Sequence, residues 1–398
     1  MYDAIIVGAR CAGASTAMLL ARKGHHVLLV DRAKFPSDIP HGHFIHMGGP
    51  ARLSQWGVLG RILATGCPAV DTMVLDFAGF PLVGQNLIVD GVAIGCGPRR
   101  KVLDEVLVAA AIEAGAEFRE QFTVDEYLSE NGQVVGVIGK DVRSKSRTSE
   151  RSRLTIGADG RNSRLARTVG APTYDAVPPL TCWYFSYWSG DFENAAALRV
   201  RERNVIFSFP TNDHLHAIFI AWPAAEFHSV RRDIGGSFIQ ALRHVPELAE
   251  SAEAGRREER FYGTADVPNF YRKPFGAGWA LVGDAGCHKD PYLALGMRDA
   301  LRDAELLSDA AHEGLSESQP VDAALAGYEA ARNAASKADY QQNIQAARLL
   351  PPPEETRSLL AALRGHEEDT RQFFLVRQGL LPVERFFNPQ NLQRIMAR

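Results

Sequence analysis

Two different spacings of apolar residues along the first thirty positions predict the elements at the start of the chain. Residues 4–7 and 27–30 are short, uninterrupted apolar runs, which are typical of strands buried on both faces of a sheet. Between them, residues 14–22 place apolar side chains at helical spacing among strong helix formers, and Gly24 stands where that helix should end. The N-terminus therefore predicts a strand–helix–strand unit.

The apolar pattern changes further along the chain. Residues 73–94 alternate apolar and polar positions with frequent glycine, and residues 181–222 are rich in aromatic and β-branched side chains, so both predict antiparallel strands. Residues 99–114 have the pattern of an amphipathic helix. The other predicted strands are 117–122, 133–141, 153–156 and 279–282; the other predicted helices are 51–63 (interrupted near Gly57), 234–248, 293–307 and most of the chain from there to 398, with a break at 351–353.

Composition narrows the class of protein. The 398 residues are 46% hydrophobic, enough for a large core, and the formal net charge of -3 gives no general field that would attract nucleic acid. We see no apolar run of about 18 residues, and a strand follows Met1 almost at once, so neither a transmembrane helix nor a signal peptide is expected. Five scattered cysteines without a CxxC motif indicate reduced thiols. We expect a cytoplasmic protein.

The first Gly-rich turn has the chemistry of a nucleotide-binding site. Gly8 allows a tight turn after the strand, and Gly13 allows the following helix to pack close to it. The first amide groups of that helix can then face a pyrophosphate, and the helix dipole favours the negative charge; these amides belong to Cys11, Ala12, Gly13 and Ala14. Asp31 ends the second strand, where a carboxylate can bind an adenosine ribose. Arg10 replaces the usual second glycine, and the alternative is an ordinary turn between strand and helix.

Three more positions extend this candidate site. Asp159, in Gly-Ala-Asp-Gly at 157–160, and Asp284, in Gly-Asp-Ala-Gly at 283–286, each follow a predicted strand, where a carboxylate can bind the sugar-like ribityl chain of a flavin; turn-forming Asp-Gly chemistry is the alternative. Arg100 opens a helix, and its guanidinium either reaches the cofactor or lies on the surface. Each motif alone is weak, but their order and spacing together indicate one FAD site.

As a set, these motifs resemble class A flavoprotein monooxygenases of the para-hydroxybenzoate hydroxylase fold, a fold shared with geranylgeranyl reductases and flavin-dependent halogenases. The residues that match are the 8–14 turn, Arg100 to Asp104, 157–163, and Gly-Asp-Ala at 283–285 followed by Pro291 and 296–297. The resemblance covers roughly residues 1–310. It implies that Asp31 and Arg32 lie at the adenosine ribose, Val124 at the adenine, Arg100 at the linker, Asp284 at the ribityl chain, and Pro291, Gly296 and Met297 beside the isoalloxazine. It also implies that Asp159 supports both FAD and transient NAD(P)H binding.

The resemblance also implies the architecture and the reaction. We expect an α/β protein with a Rossmann-like FAD-binding domain (1–70, 98–172 and 277–335), an antiparallel β-sheet substrate domain (71–97 and 173–276) and a C-terminal helical segment (336–398). The expected activity is NAD(P)H- and O2-dependent hydroxylation of an electron-rich small molecule, with aromatic substrates favoured, through a flavin C4a-hydroperoxide on non-covalently bound FAD. The alternatives are FAD-dependent reduction of an alkene, as in geranylgeranyl reductases, and a non-catalytic flavin-fold binding protein.

Two features depart from the family near the flavin. Arg298 stands where asparagine is common, and the sequence after Asp284 is not the usual Asp-Ala-Ala-His. The halogenase motif Trp-x-Trp-x-Ile-Pro is absent, since 183–188 does not match it, and this counts against halogenation.

Several polar residues are candidates for acid–base chemistry. His43 lies with two other histidines in a loop expected near the flavin, and His288, Lys289 and Asp290 flank the segment beside it. The alternatives are a partly exposed loop histidine and a solvated charged turn. No metal site is expected, because the loop histidines have no carboxylate or cysteine partner at suitable spacing. The basic run 143–153 is either a phosphate-binding arm or, as we favour, a solvated hairpin tip.

Overall fold

The computed structural model describes residues 1–77, 79–85, 88–351, 353–377 and 381–397. The strands are β1 (Tyr2–Val7), β2 (Val27–Val30), β3 (Ala69–Val70), β4 (Thr72–Phe77), β5 (Phe80–Gln85), β6 (Gly95–Cys96), β7 (Glu117–Arg119), β8 (Phe122–Glu130), β9 (Gln133–Asp141), β10 (Arg147–Gly157), β11 (Thr173–Val177), β12 (Thr181–Ser189), β13 (Ala196–Arg201), β14 (Asn204–Pro210), β15 (His216–Pro223), β16 (Arg256–Arg257), β17 (Tyr262–Thr264), β18 (Asn269–Arg272), β19 (Phe275–Gly276), β20 (Trp279–Leu281) and β21 (Cys287–His288). The helices are α1 (Cys11–Arg22), α2 (Gly48–Gln55), α3 (Leu59–Leu63), α4 (Arg100–Glu113), α5 (Arg164–Thr168), α6 (Phe227–Arg232), α7 (Ile234–Leu242), α8 (Pro246–Ala254), α9 (Gly296–Leu315), α10 (Val321–Ala347), α11 (Glu354–Leu363), α12 (Glu367–Arg377), α13 (Val383–Phe386) and α14 (Pro389–Met396).

The first sheet has the strand order β19-β20-β10-β1-β2-β7, and its central strands are parallel. Four of these strands contain segments that were predicted as strands: β1 contains 4–7, β2 contains 27–30, β10 contains 153–156 and β20 contains 279–281 of the segment 279–282. Helices α1, α4 and α9 pack together on one face, where alanine and leucine side chains fill the core. Strands β8 and β9 extend β10 as an antiparallel hairpin layer. This is the expected Rossmann-like arrangement.

The second sheet has the order β16-β12-β15-β14-β13-β4-β5 and is mostly antiparallel. Because successive side chains of a strand point to opposite faces, β12 contributes to two cores. Trp183 and Phe185 face one side, and Tyr184 and Trp188 face the other, where Trp188 stacks on Phe238 of α7 with ring centroids 5.3 Å apart. One face is therefore closed by α7 and α8, and the other faces the C-terminal helices.

Several predicted boundaries differ from the structure. The predicted helix 234–248 is two helices, because Val245 precedes Pro246 and leaves the helical conformation. The predicted helix at 293 begins instead at Gly296, after Ala294 adopts a left-handed conformation with φ of 52°. Helix α10 runs without interruption from 321 to 347, so the proposed domain limit at 335 falls inside it.

The C-terminal helices share an apolar core with the second sheet. Leu360, Phe374 and Phe386 belong to the same cluster as Phe185 and Phe219 of β12 and β15. Within the described part of the chain, no helix is both long and apolar enough to cross a lipid bilayer. The break predicted at 351–353 separates α10 from α11, and Pro352 lies outside the described residues.

The basic run 143–153 lies in the β9–β10 hairpin. Arg147 pairs with Glu126 at 2.5 Å, and Arg151 pairs with Glu130 at 2.7 Å, both with exposed side chains. Acids on β8 therefore balance the charges of Arg147 and Arg151, as expected of a solvated hairpin.

Candidate functional site

The three Gly-rich turns predicted to form one site lie side by side. They follow β1, β10 and β20, which are adjacent parallel strands, so all three leave the sheet at its carboxyl edge. A side-chain carbon added to Gly8 would lie 2.5 Å from the carbonyl oxygen of Ala158, and one added to Gly283 would lie 2.8 Å from Cβ of Ala12. We call residues 8–13, 157–160 and 283–286 the three-turn site. The carboxyl edge of such a sheet is where ligands bind in open α/β folds.

Glycine is required twice in the first turn for different reasons. Gly8 has a φ of 105°, which residues with a side chain rarely adopt. Gly13 lies so close to the preceding turn that an added side-chain carbon would be 1.8 Å from the oxygen of Gly8. Gly13 and the fully buried Ala14 therefore bring α1 against the strand, while Cys11 and Ala12 at the start of α1 face the cavity described next.

A cavity of about 910 Å³ begins at the three-turn site and continues to the second sheet. This volume lies in the usual range of small-molecule and cofactor pockets. Of the candidate residues, the cavity is lined by Gly8, Cys11, Ala12, Asp31, Arg32, His43, Arg100, Val124, Asp159, Asp284, His288, Lys289, Pro291, Gly296 and Met297. Gly13, Ala14 and Asp290 lie behind this lining.

Asp31 and Asp104 organise the charges around the first turn. The Asp31 carboxylate accepts hydrogen bonds from the amides of Ala9 and Ala33, both at 2.8 Å. The fully buried Asp104 accepts from Arg10 at 2.6 Å and from Arg100 at 3.0 Å. Arg10, which replaces a glycine of the usual motif, therefore points toward α4. The sequence offered no signal for this shared carboxylate.

Three buried polar atoms near the cavity have no hydrogen-bond partner: Nε of Arg100, the hydroxyl of Tyr127 and Oδ1 of Asp159. All three residues line the cavity. An unpaired buried polar group costs about 1–3 kcal/mol, so such atoms indicate a missing polar ligand. Tyr127 was not predicted. It follows Val124 on β8, and the alternation that places Phe122 and Val124 in the core gives no sign that a hydroxyl there reaches a site.

His43 is held by both ring nitrogens. Nδ1 lies 3.0 Å from the carbonyl oxygen of Gly97, and Nε2 lies 2.9 Å from the Tyr187 hydroxyl. A carbonyl can only accept, so Nδ1 carries the proton and Nε2 accepts from Tyr187. Burial and the nearby Arg99 lower the pKa of His43 to about 3, which keeps the ring neutral. His43 therefore has no nitrogen available for proton transfer. The described residues contain no cluster of three potential metal ligands.

His288 and Lys289 present different groups to the cavity. Nδ1 of His288 makes a short hydrogen bond to the carbonyl oxygen of Pro268, which leaves Nε2 as a proton acceptor. The Lys289 side chain, 5% exposed, pairs with Asp299. Burial alone would lower the pKa of Lys289, but the charge of Asp299 outweighs burial and raises it. Lys289 is therefore held as a cation and is poorly suited to act as a base.

Asp290 is turned away from the cavity, unlike the expectation for an acid–base residue. Its carboxylate accepts from the Thr181 hydroxyl at 2.5 Å and from the amide of Tyr292 at 3.1 Å. Its own amide donates to Asn269, and its carbonyl accepts from Asn343. The physical reason is that Pro291 begins a tight 3-10 turn, which directs the Asp290 side chain into a cap. Burial raises the pKa of Asp290 to about 6.

The far end of the cavity is lined by aromatic rings of the second sheet and of the loop after Asp38. We call these residues the aromatic wall: Phe44, Trp183, Phe185, Phe207, Phe209 and Phe219. The alternation of aromatic residues at 183–188, 207, 209 and 219 in the sequence is consistent with either an apolar wall of this kind or ordinary sheet core. Trp188 does not belong to it, because an odd step along β12 places its ring on the opposite face.

Comparison with known proteins agrees with this geometry. A sequence profile of the family described as FAD binding domain matches residues 1–343. Digeranylgeranylglycerophospholipid reductase 2 of Methanopyrus kandleri is 25% identical over 329 residues, which cover 79% of this chain and 78% of that protein. Kynurenine 3-monooxygenase of Anopheles gambiae is 25% identical over 339 residues, covering 77% and 66%.

The fold is shared with solved structures. The myxobacterial chondrochloren halogenase CndH, a FAD-dependent halogenase, superposes with a TM-score of 0.80 and 17% identity, covering all of this chain and 96% of that one. The expected fold class and superfamily are therefore confirmed. Since the profile match spans most of the chain, the protein belongs to the FAD binding domain family and is a flavin-dependent oxidoreductase.

Proposed function

We propose that the protein is a monooxygenase that uses NAD(P)H and O2 to hydroxylate an electron-rich aromatic small molecule. The observation that supports this most is the continuity of one cavity from the three-turn site to the aromatic wall. A substrate ring held at the wall would meet a cofactor held by the turns in the same enclosed space. Enclosure matters because it excludes water from the reacting groups.

We propose that FAD occupies the three-turn site without a covalent bond. The fit rests on the unpaired atoms of Arg100, Tyr127 and Asp159: the Arg100 Nε would donate a hydrogen bond to the cofactor, the Asp159 oxygen would accept one, and the Tyr127 hydroxyl can do either. The amides at the start of α1 would face the pyrophosphate. In this arrangement Asp31 and Arg32 lie at the adenosine ribose, Val124 at the adenine, Asp284 at the ribityl chain, and Pro291, Gly296 and Met297 beside the ring system.

When bound, FAD supplies the redox chemistry, with electrons from NAD(P)H and activation of O2. The chain provides orientation and proton handling. His288 lines the cavity and its Nδ1 is bonded to the carbonyl oxygen of Pro268, so its Nε2 would accept the proton of a substrate hydroxyl.

Reduction of an alkene is the second candidate. It is supported by the similarity to digeranylgeranylglycerophospholipid reductase and by the apolar character of the wall, which would also suit an isoprenoid. A non-catalytic flavin-fold binding protein is the third, and a yellow purified protein that oxidises NAD(P)H would argue against it.

Product mass after turnover under isotopically labelled O2 separates these candidates. One labelled oxygen atom in the product supports hydroxylation. Anaerobic turnover with a mass gain of two hydrogens would instead establish the reductase. The same protein with His288→Asn is the matched variant, since asparagine can still donate to Pro268 but has no group to accept the proton. We expect turnover of a phenolic substrate to fall about 100-fold or more in this variant.

A further inference from the structure

The aromatic wall presents ring faces and edges to the cavity. Phe185 and Phe219 stack with centroids 4.3 Å apart and planes within 14°, and Phe209 lies parallel to Phe219 at 5.6 Å. These residues come from adjacent positions on β12, β14 and β15, so the backbone fixes their spacing. A flat apolar molecule can therefore meet a preformed surface without rearrangement of the sheet.

The one indole of the wall turns its polar atom away from the cavity. Nε1 of Trp183 donates to the hydroxyl oxygen of Thr181 at 2.7 Å and lies 3.4 Å from the Asp290 carboxylate. The Thr181 hydroxyl in turn donates to Asp290. All three side chains are buried. Asp290 therefore acts as a positioning residue that fixes the indole and leaves its carbon face toward the cavity.

The polar groups behind the wall are largely paired, although the buried Nε of Arg99 has no hydrogen-bond partner among the described residues. The neutral His43 uses one nitrogen on Gly97 and the other on Tyr187. The Arg99 guanidinium lies 3.9 Å from the centre of the Tyr187 ring and pairs with Asp38 and with another carboxylate, Glu259. No unpaired charge is therefore available from this layer to an occupant of the cavity.

Two cations of the cavity lining are also paired. Arg161 lies 3.0 Å from Asp266, and Lys289 is paired with Asp299. Among the described residues of the wall, none has an ionised side chain. Thr264, at the border of the wall, offers a neutral hydroxyl that accepts from the amide of Asp266 at 3.0 Å. An anion placed against the wall would lose its hydration without gaining a partner, which is costly.

We propose that the substrate is an uncharged aromatic molecule, recognised by ring stacking on the aromatic wall, and that the site rejects analogues with a carboxylate on the ring. This inference rests on the proposed function only in taking the wall as the substrate end of the cavity. It goes further by excluding ionised ring substrates and by assigning Trp183 as a specificity residue with Asp290 as its support.

The test is equilibrium binding to the purified holoenzyme, without NAD(P)H, of two probes that share one ring system: 2-naphthalenemethanol, which is neutral, and 2-naphthoate, which is ionised at neutral pH. Isothermal titration and the change in the flavin absorption spectrum give both dissociation constants. We expect the alcohol to bind at least about tenfold more tightly than the carboxylate. Equal or tighter binding of naphthoate overturns the proposal, and so does a failure of the alcohol to bind.

Matched variants locate the binding. Trp183→Leu should weaken binding of the alcohol about tenfold. Trp188 lies on the same strand but the opposite face, so Trp188→Leu should leave the affinity for the alcohol unchanged. Naphthoate binding that disappears in Arg161→Gln would show that an anion is held at Arg161 and would contradict the inference. Because these measurements need no turnover, a failure to incorporate labelled oxygen would reject hydroxylation and leave the ring selectivity standing.

Discussion

Replacing Gly8 by alanine should damage the three-turn site far more than the same change at Gly24, at the other end of helix α1. Both glycines have positive φ, 105° and 85°, so each alanine incurs about 1–2 kcal/mol of backbone strain. Only Gly8 has a close neighbour: its new carbon would lie 2.5 Å from the carbonyl oxygen of Ala158, while nothing lies within 4 Å of Gly24. Overpacking of this kind adds about 1–3 kcal/mol.

The overlap at Gly8 is with backbone, so relief requires movement of Ala158 and of the adjacent Asp159. Both residues line the cavity, and the movement should therefore weaken FAD binding. We expect urea titration to show a loss of about 2–5 kcal/mol for Gly8→Ala and about 1–2 kcal/mol for Gly24→Ala. The dissociation constant of FAD, from quenching of flavin fluorescence, should rise about tenfold or more only for Gly8→Ala.

The reasoning would be refuted if the two variants had the same unfolding free energy. It would also be refuted if Gly8→Ala bound FAD with the affinity of the unmodified protein. Either result would mean that the turn accommodates a methyl group and that the contact with Ala158 does not shape the site.

Three further predictions concern single side chains. Asp284→Ala should weaken FAD binding by about 1.5–3 kcal/mol with little effect on unfolding, and unchanged flavin occupancy would contradict its assigned role. Tyr127→Phe should raise the FAD dissociation constant several-fold without destabilising the apoprotein, because the lost hydroxyl has no partner in the protein; an unchanged constant would place the hydroxyl outside the cofactor site. The pKa of Asp290 is raised from 3.8 to about 6, so the folded state holds its proton longer than the unfolded state and stability falls as pH rises between these values. The unfolding free energy of Asp290→Asn should lack this fall, on the order of 2–3 kcal/mol, and parallel pH profiles from urea titrations of the two proteins would contradict the assignment.

The local pattern of apolar residues was sufficient to predict the elements that are buried along their whole length. The apolar run at 27–30 gave β2 with its observed limits, because a strand buried on both faces leaves little choice of residue. Prediction from local pattern failed where the backbone conformation of a single residue determines where an element begins or ends. The left-handed Ala294 delays α9, and Pro246 divides a predicted helix in two. Neither alanine nor proline changes the apolar periodicity.

The sequence allowed prediction of those candidate site residues whose type is required by a tight turn at the end of a strand. Gly8 and Asp284 were predicted because a tight turn at a strand end needs particular residues, and both line the cavity. Side-chain direction was not predictable in the same way. Asp290 looked like an acid beside the flavin, yet a capping hydrogen bond turns it toward Thr181. Tyr127 looked like core, yet the residue lines the cavity and its buried hydroxyl has no hydrogen-bond partner among the described residues. Such choices depend on partners far away in the chain.

The order of strands in the first sheet has a consequence for biosynthesis. β10 lies between β1 and β20, so the strands that lead into the earliest and the latest turn are joined in the sheet only through a strand made between them. A ribosome must therefore release the chain beyond residue 286 before the cofactor has a complete place to bind. Before β20 has been synthesised, β1 and β10 can pair, but the edge of β10 that later pairs with β20 has unpaired backbone groups. Exposed strand edges of this kind favour aggregation. FAD thus arrives after synthesis of this region, and truncation before residue 279 should abolish cofactor retention, even though the N-terminal glycine turn remains intact.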